Sequence, residues 1–182
     1  MPIKPASRRP PRLLPALSLA LAALLCAPAR AQVAEFDLKA AFIFNFAVFT
    51  GWPPETLAGD SPLVLCTYAG NSLQGALGAL HNKVVNGHRL AVRQLGAGAG
   101  ARDCHILYLD AQDRERWQQL RKELTGASVL TVADDRIIGN NGAVIALGAD
   151  SRRIEFDVDL GAARSAHLTL SSKLLHLARN AQ

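Results

Sequence analysis

The 182-residue chain reads as an α/β domain with a mostly parallel sheet and hairpin additions, on three observations. Continuous apolar runs of strand length, the kind buried on both faces of a parallel sheet, recur at 62–68, 104–109 and 128–133. Stretches with helical apolar spacing alternate with these runs. Hairpins are added by Asn86-Gly87 between two β-prone runs, and by a polar turn between Ala143–Leu147 and Arg153–Val158. There is no internal repeat, and no linker is long enough to divide the chain.

The N-terminus reads as a secretory leader. Lys4, Arg8, Arg9 and Arg12 precede an apolar run from Leu13 to Cys26, and Ala29-Arg30-Ala31 supplies a small-x-small site, which predicts cleavage after Ala31. Acylation at Cys26 is disfavoured because Leu25 stands where a small residue belongs. A retained anchor is the alternative, but the run is shorter than the ~20 residues of a span. The expected division is therefore a signal peptide at 1–31 and one domain at 32–182, exported to an oxidising compartment and not spanning the membrane. The leader carries five of the basic residues and no acidic one, so the mature chain has fifteen of each sign. The basic pI belongs to the leader, and no case for nucleic-acid binding survives its removal. Cys66 and Cys104 remain as an even pair in an oxidising compartment, either as a bridge or as two buried thiols that never meet. A bridge would close a loop of about forty residues, worth about 4 kcal/mol in the chain-entropy model.

The first element of the mature domain is a helix over Leu38–Thr50, with Asp37 as N-cap and Gly51 as a left-handed C-cap, stopped by Trp52-Pro53. Leu38, Phe42, Phe46 and Phe49 share one face, while Phe44 and Val48 make the opposite face apolar as well. A helix apolar all round is buried on every side or docked on a partner, so Phe44 and Val48 are expected at a homodimer contact. The strand at 62–68 follows, then a turn at Gly70-Asn71 and a helical stripe of Leu73, Ala76, Leu77 and Leu80. The Asn86-Gly87 hairpin comes next, and after it the strand at 104–109. An Asp113-capped surface helix carries Trp117, Leu120 and Leu124 toward the sheet. After the strand at 128–133 and a polar turn at Asp134-Asp135, Gly148–Arg152 is expected to turn the second hairpin. In Arg153–Val158, Ile154, Phe156 and Val158 alternate with Arg153, Glu155 and Asp157, so one face is core and the other is wet or held for a partner. Asp159 caps a short helix, 168–170 is extended, and Ser171 caps a last helix burying Leu174, Leu177 and Ala178.

Motifs that carry chemistry do not hold up. Gly96 to Ala101 fits a dinucleotide fingerprint in letters, but a strand follows where a helix N-terminus is required. Ser171-Ser172-Lys173 lacks the spacing of an S-x-x-K nucleophile, since Leu170 occupies the serine position. The five histidines do not pair at ligand spacing, so no metal is expected. Gly70-Asn71-Ser72 and Asp110 lie at strand C-termini, where open α/β sheets bind ligands, though ordinary turns explain them. Nothing pairs a nucleophile with a base. The residues describe a non-catalytic domain without a cofactor.

Three stretches, KAAFIFNFAVFTGWP at 39–53, the Cys66 and Cys104 strands, and RIEFDVDLGAARSAHLTLSSKLLHLAR at 153–179, together resemble the YfiR family of periplasmic proteins over nearly all of the mature chain. The resemblance implies a single Rossmann-like three-layer domain without enzymatic activity. It implies a partner, the periplasmic sensor domain of an inner-membrane diguanylate cyclase that is held inactive, with control of cyclic-di-GMP and biofilm formation. It maps partner contact onto Glu155, Phe156 and Leu168, Thr169, Leu170, Ser171, Ser172 and Lys173. It also favours Arg153, Glu155 and Asp157 as a recognition stripe over a merely solvated edge, and Cys66–Cys104 as a bridge. A second bridge known in the family would fall at 139–147, where this chain has no cysteine. The alternative function is a periplasmic small-molecule-binding protein serving a receptor or transporter.

Overall fold

A computed structural model describes residues 27–150 and 153–182, so the predicted leader at 1–26 lies outside the described residues. Phe36–Gln182 forms one compact unit that holds every described element apart from the first turns of the N-terminal helix, α1. That helix spans Ala27–Val48. It begins ten residues before Asp37, so Asp37 is not its N-cap. Ala-rich sequence carries the helix forward through 27–35. Nor is Gly51 a left-handed cap: with Thr50 it forms β1, paired antiparallel with β9 (Thr169–Leu170).

The main sheet has eight strands. They are β2 (Leu63–Tyr68), β3 (Val84–Val85), β4 (His88–Leu95), β5 (Ile106–Leu109), β6 (Leu130–Ala133), β7 (Ile145–Asp150), β8 (Arg153–Val158) and β10 (Asn180–Ala181). Their order is β10-β8-β7-β6-β5-β2-β4-β3. Strands β4, β2, β5, β6 and β7 run parallel, β3 is antiparallel to β4 and β8 to β7, and β10 is parallel to β8. The protein is thus mixed α/β with a mixed sheet, a broader description than a Rossmann-like parallel one. The Asn86-Gly87 turn forms as expected, with both residues at positive φ between β3 and β4. The second hairpin differs: Gly148, Ala149 and Asp150, expected in the turn, pair within β7 with Glu155, Ile154 and Arg153, and the rest of the expected turn, 151–152, lies outside the described residues.

Helices cover both sheet faces. On one lie α1, α2 (Gln74–Gly78), α5 (Leu160–Ser165) and α6 (Ser172–Leu177), around Ile43, Phe46, Leu65, Tyr108, Val132 and Phe156. On the other lie α3 (Arg114–Glu123) and α4 (Arg136–Gly139), around Cys66, Leu107, Trp117, Leu120 and Ile138. The alternation of Leu63 and Leu65 with Val64 and Cys66 between these two cores is why β2 reads as continuously apolar. Helix α4 has no counterpart among the elements expected from sequence. The Asp134-Asp135 turn conceals it, because Asp135 accepts from the amides of Ile137 and Ile138 and starts a helix of only four residues. Asp110 likewise caps a 3-10 turn ahead of α3, while Asp113 makes no side-chain cap to that helix.

Candidate functional site

The α1 face is not fully closed. A groove of about 530 Å³ runs between α1, β8 and α6, lined by Phe42, Phe46, Phe49, Phe156, Leu174 and Leu177 among others. Its floor is a ring cluster. Phe156 lies 4.8 Å from Phe46 and 6.2 Å from Phe42, centroid to centroid, in tilted and edge-on geometry. Helical spacing puts Phe42, Phe46 and Phe49 on one side of α1. The pleat of β8 turns Phe156 inward, and the Ser171 cap, accepting from the Leu174 amide, aims α6 so that Leu177 stands at the mouth. Leu177 is 69% exposed, a large apolar side chain left in water.

The rim is charged. Arg153, Glu155 and Arg179 line the groove together. Arg179 donates to both carboxylate oxygens of Asp157 and lies 3.6 Å from Glu155. The carboxylates beside it hold its guanidinium above the ordinary arginine value. Two of the three charges that the sequence presents as a stripe, Glu155 and Asp157, are therefore ion-paired, with Arg179 facing both acids.

Of the ten residues expected at a partner contact, Arg153, Glu155 and Phe156 line the groove. Asp157 lines a neighbouring polar recess with Asn180 and Gln182. Leu168 is buried in the core, and Thr169 and Leu170 form β9. Ser171 ties its amide to the Phe49 carbonyl at 2.9 Å, and Ser172 and Lys173 are exposed in the first turn of α6. This segment thus frames the groove instead of lining it. Phe42, Phe49, Leu177 and Arg179 were missed as site residues, and only the all-round apolarity of α1 hinted at the first two. Phe44 and Val48 are half-buried against the core, with the Lys83 ammonium 5.7 Å from the Phe44 ring centroid. Each therefore has intrachain contacts that the helical pattern did not reveal.

The strand C-termini hold a second polar cluster. Lys39 of α1, almost fully buried, reaches Asp134 at 2.7 Å, and the Tyr108 hydroxyl donates to the same oxygen at 3.0 Å. Burial, reinforced by Asp134, pushes the Tyr108 phenol far above its ordinary value. Asp110 accepts from the Ser72 and Gln112 amides. These contacts cap and neutralise chain ends. Among the described residues no group of three or more His, Cys, Asp or Glu is placed to hold a metal. Gly96–Gly100 turns the chain, and the Tyr68 hydroxyl bonds the Ala99 carbonyl there.

Cys66 and Cys104 are joined in a disulfide, Cα atoms 5.9 Å apart, buried under α3. The chain thus carries an apolar groove with a charged rim on a cross-linked α/β scaffold. The family model DUF4154, described as YfiR/HmsC-like, matches residues 36–179. The chain belongs to the YfiR/HmsC-like family. No helix among the described residues is long and apolar enough to cross a membrane. No curated protein matches the chain. Among solved structures it is similar to a conserved domain protein from Vibrio cholerae O1 biovar El Tor, with a TM-score of 0.50 and 12% identity, over 71% of this chain and 57% of that one. The likeness concerns the fold alone, and the chain spans just over half of that structure's length.

Proposed function

We propose that this chain binds the periplasmic sensor domain of an inner-membrane diguanylate cyclase through the α1–β8–α6 groove and holds the cyclase inactive, lowering cyclic-di-GMP and restraining biofilm formation. The observation that carries the reading is the groove itself: aromatic floor, exposed Leu177, and a rim of Arg153, Glu155 and Arg179. Apolar anchors supply affinity, while charges fixed on a strand set register and partner choice at little ordering cost. Family membership supports the signalling context.

Glu155→Lys tests it. The side chain is half-exposed and its pairing with Arg179 is loose, so the fold should change by no more than about 0.5 kcal/mol. Pull-down of the sensor domain should weaken, and cellular cyclic-di-GMP should rise as it does in a gene deletion. Unchanged cyclic-di-GMP in the deletion strain would end the repressor reading. A second reading, small-molecule binding for a receptor or transporter, draws on the groove volume, which falls within the roughly 300–1,000 Å³ of ligand pockets. It would then stand first.

A further inference from the structure

The segment Trp52–Pro62 joins β1 to β2 with little regular structure, and histidines hold it to the sheet. His105, just before β5, has both ring nitrogens engaged. The Val64 amide lies 3.0 Å from Nδ1, and Nε2 lies 2.9 Å from the Thr56 carbonyl. An amide only donates and a carbonyl only accepts, so Nδ1 carries the lone pair and Nε2 the proton: one neutral tautomer satisfies both. Trp52 adds its indole N–H to the His105 carbonyl at 3.2 Å and sets its ring edge-on to the imidazole. At the far end of the segment, His88 Nδ1 donates to the Ser61 carbonyl at 2.9 Å.

We infer that His105 is a proton-operated latch on this segment. A second proton must go onto Nδ1, where it would face the Val64 N–H, so the ring has to withdraw, releasing Thr56 and its edge-on contact with Trp52, whose indole N–H stays on the His105 main-chain carbonyl. Burial pushes the ring below its ordinary value of 6.5, opposed by the Thr56 carbonyl and assisted by the like charge of His88 on β4. Val64 of β2 and Leu130 of β6 meet His105 through backbone groups, the neighbouring Cys104 is in the disulfide, and the loop carboxylates Glu55 and Asp60 are exposed. The latched state binds fewer protons than the released one. It is therefore fully held above pH ~6.5 and weakens by up to about tenfold per unit as pH falls below that, until the latched ring itself titrates. His88 donates through Nδ1 in either charge state, so the Ser61 end stays tied. Trp52 follows β1 directly, and Phe49 just before β1 is a wall of the groove, bonded through its carbonyl to Ser171. Given the groove as the partner site, acid release loosens that wall and gives the regulator a proton input.

The test is hydrogen exchange on the exported, disulfide-intact protein at pH ~7.5 and ~5.0, corrected for intrinsic rates. Protection at Thr56, Leu57 and Val64 should fall in acid, by no more than about thirtyfold between the two pH values, while β6 and β7 amides hold. His105→Gln should abolish the response and His88→Gln should keep it. No loss of protection, or the same loss in His105→Gln, overturns the latch. Should His105→Gln misfold, an NMR titration of the wild type decides. The Trp52 indole signal must move with the His105 ring midpoint, and independent midpoints overturn the proposal. Sensor-domain affinity at the two pH values is a separate arm. Acid release with unchanged affinity overturns the link to the groove and leaves the latch standing, whereas no binding at either pH counts against the groove as the partner site.

Discussion

The two faces of the sheet are finished differently. Under α3 and α4 the core is cross-linked: the Cys66–Cys104 bridge ties β2 to the residue pair ahead of β5, and Trp117 is buried with its indole N–H on the Asn141 carbonyl at 3.1 Å. Asp135 caps α4 while accepting from Arg114, whose bond holds the carboxyl below the ordinary aspartate value. Under α1 and α6 the core is left ajar, with Phe42 and Phe49 half-covered and Leu177 in water. The contrast teaches that the first face is built for stability, which frees the second to expose apolar surface that a lone domain would otherwise bury.

Removing the bridge should break this contrast most severely. Replacing both cysteines by alanine should cost about 4 kcal/mol by loop-entropy reasoning, read as a lower urea midpoint, while sensor-domain binding persists under folding conditions. Loss of binding by a chain that is still folded would show that the two faces are coupled.

Phe44→Glu probes the outer side of α1. Its half-buried ring should yield a loss of about 1–2 kcal/mol, and sedimentation should shift from dimer to monomer with circular dichroism intact. A wild type that sediments as a monomer removes the proposed self-association through Phe44 and Val48.

Leu177→Ser is the smallest in stability and the sharpest for the open face. An exposed side chain should cost within about 0.5 kcal/mol, yet sensor-domain affinity should fall several-fold. Full affinity in this variant would mean that the mouth of the groove does not touch the partner.

Legibility followed the range of the interaction. Strand β8 was placed to the residue because alternation is a property of six consecutive positions. The Asn86-Gly87 hairpin and the caps at Asp159 and Ser171 were likewise readable, since each depends on groups a few residues apart. Strands β1 and β10 were not, and 168–170 was read as extended without its pairing to β1, because so short a strand carries no period and exists only through its partner. Helix α1 was expected over Leu38–Thr50 and runs over Ala27–Val48: it starts earlier because a capping residue suggests a helix start without enforcing one, and it ends earlier because Thr50 and Gly51 pair with β9.

The sequence by itself determined the α/β class, the two-sided burial of the central strands, the cysteine pair and the aromatic richness of α1. Only the tertiary structure decided that Phe42 and Phe46 meet Phe156, that Arg179 faces Glu155 and Asp157, and that His105 holds Thr56. Periodicity and capping are read from neighbours along the chain. The groove, its rim and the latch join residues tens to more than a hundred positions apart, and strand order, set by burying apolar surface between distant segments, brings them together.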